Sequence, residues 1–116
     1  VYTGQHRNDV PRDVTHIRIA SNVIEIPDET FRDFEDLEEV ECNEGLLVIG
    51  DCAFYDCLSL ANFNFPSTLR EIREYAFEMT GLTSVEFPES LELIQRSSFS
   101  FCQSFKTVTF KSKSTK

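Results

Sequence analysis

Apolar residues recur along this chain at a nearly constant interval. Ile26, Ile49, Ile72 and Ile94 are spaced 23, 23 and 22 residues apart, and so are Val23, Leu46, Leu69 and Leu91. A phenylalanine that follows a small residue keeps the same intervals at Phe31, Phe54, Phe77 and Phe99. Three further sets hold the register: Leu37, Leu60, Leu82 and Phe105; Ile17, Val40, Phe63, Val85 and Val108; and Ile19, Cys42, Phe65, Phe87 and Phe110. A unit this short cannot bury its own apolar face. Stacked units bury a continuous core, so the pattern predicts a solenoid in which each repeat is one coil.

Within each unit, apolar and polar residues alternate over a short run, as in Asn62-Phe63-Asn64-Phe65 and Ser84-Val85-Glu86-Phe87. Period two over four residues predicts a strand with one face inward. Pro66 and Pro88 end these strands, because proline lacks the N–H that a ladder needs. A polar turn and a Leu-x-x-Ile step follow, with both apolar side chains directed to the core. The Ala-Phe segment is expected to make one short helical or 3₁₀ turn before the chain returns to the next strand. Equivalent strands joined by crossovers of about twenty residues form a parallel sheet. The one short interval arises where Glu78–Leu82 is a residue shorter than Tyr55–Leu60, and Gly81 is suited to the tighter path there.

The consensus Leu-x-x-Val-x-Phe-Pro-x-x-Leu-x-x-Ile-x-x-x-Ala-Phe-x-x-Cys-x-x-Leu resembles the BspA-type leucine-rich repeats. The local matches are Val40–Leu60, with Ile49-Gly50-Asp51-Cys52-Ala53-Phe54-Tyr55-Asp56-Cys57, and Phe63–Leu82, with Phe65-Pro66-Ser67-Thr68-Leu69. The resemblance implies an α/β, β-rich repeat fold. The expected form is a right-handed leucine-rich-repeat solenoid with one parallel sheet of four to five short strands and short 3₁₀ or helical turns. Its expected layout is a segment 1–14 acting as a partial N-terminal cap, repeats at 15–37, 38–60, 61–82 and 83–105, a last strand at 106–110, and a disordered basic tail at 111–116. Departures occur at Ala20 and Asn43 in the proline slot, and at Phe34 and Thr80 in the cysteine slot.

The net charge of −9 is concentrated in residues 26–60, which hold eleven acidic side chains against Arg32. An acidic surface repels nucleic acid and anionic lipid, so neither is an expected partner. The longest aliphatic run, Leu46-Leu47-Val48-Ile49, is far below the ~20 residues of a membrane span, so membrane insertion is not expected either. Of the four cysteines, Cys42, Cys57 and Cys102 fall on core slots and are expected as packed thiols, while a Cys52–Cys57 bridge stays open. The two histidines, His6 and His16, stand apart from any nucleophile. The acidic run 33–39 is interrupted by Phe34 and Leu37 and lacks the glycine turn of a calcium loop. No catalytic residue, metal site or cofactor is expected, and the chain is not expected to be an enzyme.

The outward residues of the strands define a two-column ladder on the concave face: His16 and Arg18, Glu39 and Glu41, Asn62 and Asn64, Ser84 and Glu86, Thr107 and Thr109. This ladder is the candidate contact surface for a protein partner, and the expected assembly is a monomer unless coils stack end to end. The alternative is a structural spacer or adhesive segment of a longer, surface-exposed repeat array.

Overall fold

The computed structural model describes residues 1–95, 97–100 and 102, and the backbone of 107–110. The expectations for Phe105 and the tail 111–116 lie outside the described residues, as do those for the side chains of 107–110. In chain order the strands are β1 (His16–Ile19), β2 (Glu25–Ile26), β3 (Glu39–Cys42), β4 (Val48–Ile49), β5 (Asn62–Asn64), β6 (Glu71–Ile72), β7 (Ser84–Phe87), β8 (Leu93–Ile94) and β9 (Thr107–Phe110). All pairings between them are parallel. A single 3₁₀ turn, Arg7–Asp9, is the helical element among the described residues.

The odd-numbered strands stack into the front of the solenoid and the even-numbered ones into a second, narrower sheet at the back, β2-β4-β6-β8. This second sheet is formed by the Leu-x-x-Ile step. Stacking coils at a constant period brings equivalent dipeptides to strand spacing, so an extended pair of residues is enough to ladder. The front sheet divides into β1-β3-β5 and β7-β9.

The core is a column of rings. Phe31, Phe54, Phe77 and Phe99 stand in single file, with successive centroids 5.2, 5.2 and 5.1 Å apart and planes within 19° of parallel. Phe31, Phe54 and Phe77 are fully buried, flanked by equally buried Leu46, Leu69, Ile26, Ile49 and Ile72. Burial of one such ring contributes roughly 1.5–3 kcal/mol, and the offset contacts between rings add to it.

The Ala-Phe segments do not form helical turns. Their amides alternate between two kinds of partner. Thr30, Arg32 and Phe34 bond back to Pro27, Glu29 and Phe31, whereas Glu29, Phe31 and Asp33 bond outward to the carbonyls of Asp51, Ala53 and Tyr55 in the next coil. The same alternation recurs from Cys52 to Cys57. A helical turn would direct every N–H along its own axis and forfeit this third ladder between coils. The path requires left-handed backbone at Glu29, Asp33, Cys52, Asp56, Tyr75 and Met79, with φ between 56 and 66°. Each such residue costs about 1–2 kcal/mol, which the inter-coil bonds offset.

The N-terminal segment lies against the first coil. Tyr2 is buried and pairs with Ile19 in a parallel bridge, and its ring meets Phe31 edge-on at 5.0 Å. Arg7 Nη2 donates to the carbonyl of Arg32 at 2.5 Å, and Arg12 Nη2 to that of Asp33 at 3.3 Å. The Arg32 carbonyl occupies the slot at which Tyr55 accepts from Asp33 one coil later.

Candidate functional site

Alternation along the front strands decides which side chains reach solvent. In β1, β3 and β7 exposed and buried residues strictly alternate. His16, Arg18, Glu39, Glu41, Asn62, Asn64, Ser84 and Glu86 are all exposed on this face. Register aligns them in two columns, His16↔Glu39↔Asn62 and Arg18↔Glu41↔Asn64, with Ser84↔Thr107 and Glu86↔Thr109 on the second pair of strands.

The first two rungs neutralise each other. His16 Nε2 lies 3.6 Å from Glu39 Oε1, and Arg18 Nε lies 3.7 Å from Glu41 Oε1. Both pairs are more than half exposed on average, so each contributes under about 1 kcal/mol. Further along, the ladder carries Asn62, Asn64, Ser84 and Glu86, and among the described residues Glu86 has no ion-pair partner. A shallow groove of about 410 Å³ runs here, lined by Glu39, Glu41, Asn62, Phe63, Asn64 and Glu86, among others.

The groove coincides with the division of the front sheet. β5 and β7 share no hydrogen bond, and most Cα pairs across the junction are more than 8 Å apart. Phe63 is consequently half-buried, whereas Val40 and Val85, in the same slot of neighbouring coils, are 1% and 4% exposed. The cause lies in the shortened segment before β7. The left-handed residues Asp33, Asp56 and Met79 keep the 23-residue interval, whereas Leu60 to Leu82 is 22, so the missing residue falls between Met79 and Leu82. A Cβ on Gly81 would stand 2.8 Å from the carbonyl oxygen of Leu58. Gly81 is therefore required for close backbone approach rather than for a left-handed turn. The sequence displays the 22-residue interval, but not that the front sheet alone opens in response.

The thiols serve packing. Cys57 is fully buried and its Sγ donates to the carbonyl of Phe31 at 3.0 Å; Cys102 repeats the contact to Phe77 at 3.1 Å. The cysteine slot thus hydrogen-bonds the ring-bearing residue one coil earlier, a role that packing arguments alone miss. Burial pushes the Cys42 and Cys57 thiols up to about 12, far from the thiolate that nucleophilic chemistry needs. Cys52 is raised by burial as well, and all four cysteines are free.

Asp28 and Asp51 cap amides of the following coil, accepting from the N–H of Asp51 at 2.8 Å and of Glu74 at 3.0 Å. Asp56 titrates above the usual carboxylate range, first through burial and then through Asp33 in the same slot below it. Among the described residues no group of three or more His, Cys, Asp or Glu is placed to hold a metal ion, and no helix is long and apolar enough to cross a membrane.

The family model for the BspA-type leucine-rich-repeat region matches residues 11–116, in six copies. No curated protein matches the chain by sequence. A leucine-rich-repeat protein of Bacteroides ovatus is 31% identical over 84% of this chain, with a TM-score of 0.79, and the chain spans 26% of its length. A leucine-rich-repeat protein of T. pallidum aligns over 80% of this chain and 57% of its own, at 23% identity and a TM-score of 0.64. One from Eubacterium ventriosum aligns over 96% of this chain and 37% of its own, at 18% identity and 0.63; these last two bear on the fold alone. With its 23-residue coils, single-file phenylalanines and carbonyl-bound cysteine slot, the chain belongs to the BspA-type leucine-rich-repeat family.

Proposed function

We propose that the chain is a non-catalytic module that binds a protein partner through its concave front face. The observation that carries this reading is the ladder itself: eight described side chains, His16 through Glu86, are exposed on rigidly stacked strands and flank a groove. Repeat arrays present such faces because the coils fix side-chain positions at little entropic cost on binding. Replacing Glu39, Glu41 and Glu86 together with Lys tests it. Capture from a lysate should lose the partners that the wild-type chain retains. An unchanged set of captured partners excludes the front face as the contact.

Residues 1–14 fit the role of an N-terminal cap on this reading. Tyr2 continues β1 outward, and Arg7 fills a carbonyl that an earlier coil would otherwise bond. Pro27 supports it: it occupies the slot from which Gly50, Arg73 and Gln95 each donate to the preceding coil, and proline has no N–H to strand there.

A second reading, a spacer within a longer array, draws on the other end. Ile94 is 37% exposed in the slot where Ile26, Ile49 and Ile72 are fully buried. Under that reading the full reading frame holds further 23-residue units, and appending the next one raises thermal stability. A frame without such units sinks it.

A further inference from the structure

The opening between β5 and β7 is a wedge. Behind it β6 and β8 remain paired, Glu71↔Leu93 and Ile72↔Ile94, and the Phe65 and Phe87 rings approach to 5.5 Å. The gap therefore closes at the core and at the C-terminal ends of β5 and β7, and widens toward the front. Half-buried Phe63 forms its floor, its ring held edge-on by Phe54 and Phe77 at 5.1 and 4.9 Å.

The hydrogen-bonding groups at its walls follow from the register of the intact rungs. There the Glu39 amide donates to Thr15, Asn62 to Glu38 and Asn43 to Ile19. By the same rule the amides of Ser84 and Glu86 would donate to the carbonyls of Ala61 and Phe63. Those bonds are not formed, so β5 and β7 present two open strand edges to each other inside the groove. Open edges are templates for another strand. Glu39 and Glu41 on one side are paired with His16 and Arg18, so the charge left at the walls is that of Glu86, and β5 and β7 carry no cation.

We propose that this wedge is a strand-addition site for an extended peptide of alternating apolar and basic residues. The proposal rests on the front-face reading and names the chemistry of its partner. The peptide backbone bonds the open edges, its apolar side chains cover Phe63, and a basic side chain reaches Glu86. Main-chain bonds supply affinity in this mode and the alternating side chains supply selection.

The probe is a capped seven-residue peptide alternating lysine and valine, titrated against the full chain with amide exchange followed residue by residue. Binding should slow exchange at Ser84 and Glu86 by about tenfold or more. A peptide with its central valine replaced by proline, which lacks one N–H, should bind about tenfold more weakly, and so should the first peptide to a Glu86→Lys chain. Equal affinity for the proline peptide overturns strand addition and leaves a charge contact, so the front-face reading survives. Binding without protection of Ser84 and Glu86, no binding at all, or amides already protected in the free chain also overturns it. Failure of the front-face reading shows elsewhere, in the triple charge-reversal variant keeping its captured partners.

Discussion

The back and front of the solenoid meet the same irregularity and respond differently. At the junction of the third and fourth coils the back ladder continues without a break. Leu93 N–H donates to Arg70, Gln95 N–H to Ile72, and Arg70 Nη2 reaches Glu92 Oε2 at 2.8 Å. On the front, β5 and β7 part. The missing residue lies on the path from Met79 to β7, and one residue less shortens the reach by about 3.3–3.6 Å. From Leu82 onward every apolar slot carries the same 22-residue offset: Val85 and Phe87 stand in the slots of Phe63 and Phe65, as Leu91 and Ile94 do in those of Leu69 and Ile72. Apolar register is thus kept on both faces, with Val85 and Phe87 only 4% and 3% exposed, and what gives way is the front hydrogen-bond ladder that follows the shortened segment. A lost bond between groups that solvent can satisfy costs little, whereas an apolar slot out of register costs several kcal/mol.

The largest expected effect removes what both faces share. Phe54 touches Phe31, Phe77 and Phe63, so it supports the back ladder, the front ladder and the floor of the wedge at once. Phe54→Ala should lower stability by ~3–5 kcal/mol in denaturant unfolding. Leu58→Ala, at a side chain 55% exposed, should change it by less than about 0.5 kcal/mol. Comparable losses at the two positions would mean that the column of rings is not the common spine.

Restoring the interval tests the comparison directly. Inserting one serine between Gly81 and Leu82 returns the fourth coil to 23 residues. The front should then close, with the Ser84 and Glu86 amides exchanging more slowly and stability rising by about 1 kcal/mol from the added ladder bonds. The back should not respond, since Leu93 and Gln95 are bonded already. Unchanged exchange at Ser84 would place the cause of the opening elsewhere than in the missing residue. Gly81→Ala, in contrast, should lose about 1–3 kcal/mol, because its methyl group meets the Leu58 carbonyl, which is backbone and cannot swing away.

The column, the front strands and the outward direction of the candidate site were legible because each depends on a period that the chain states several times. His16 facing Glu39 follows from the 23-residue register alone. The back sheet was not legible, since a two-residue strand such as Val48–Ile49 is too short to show alternation. Nor was the third ladder. Asp33 and Asp56 carry a side chain suited to left-handed backbone, but Glu29, Cys52, Tyr75 and Met79 carry none. Their conformation is imposed by the neighbouring coil, and a single unit's sequence contains no trace of it. The groove escaped for a related reason: the interval of 22 is visible, but which ladder absorbs it depends on how neighbouring coils meet, which no single unit states.

The smallest effect concerns the third ladder, which ran true through Met79 and so located the missing residue. Asp33 and Asp56 occupy the slot below Met79, and burial together with Asp33 raises the Asp56 carboxyl. A raised carboxyl means that the folded chain binds the proton more tightly than the unfolded one. Stability therefore falls as pH rises from the ordinary carboxylate range through the raised value. Asp56→Asn keeps a side chain that tolerates left-handed backbone and removes the charge. It should stabilise the chain above the raised value, by less than about 0.5 kcal/mol because solvent screens the slot. Below the ordinary range, where the wild-type carboxyl is already neutral, the gain should vanish. A gain of equal size at both ends of the pH scale would trace it to backbone preference instead, and the two stacked carboxylates would not be the source of strain in this ladder.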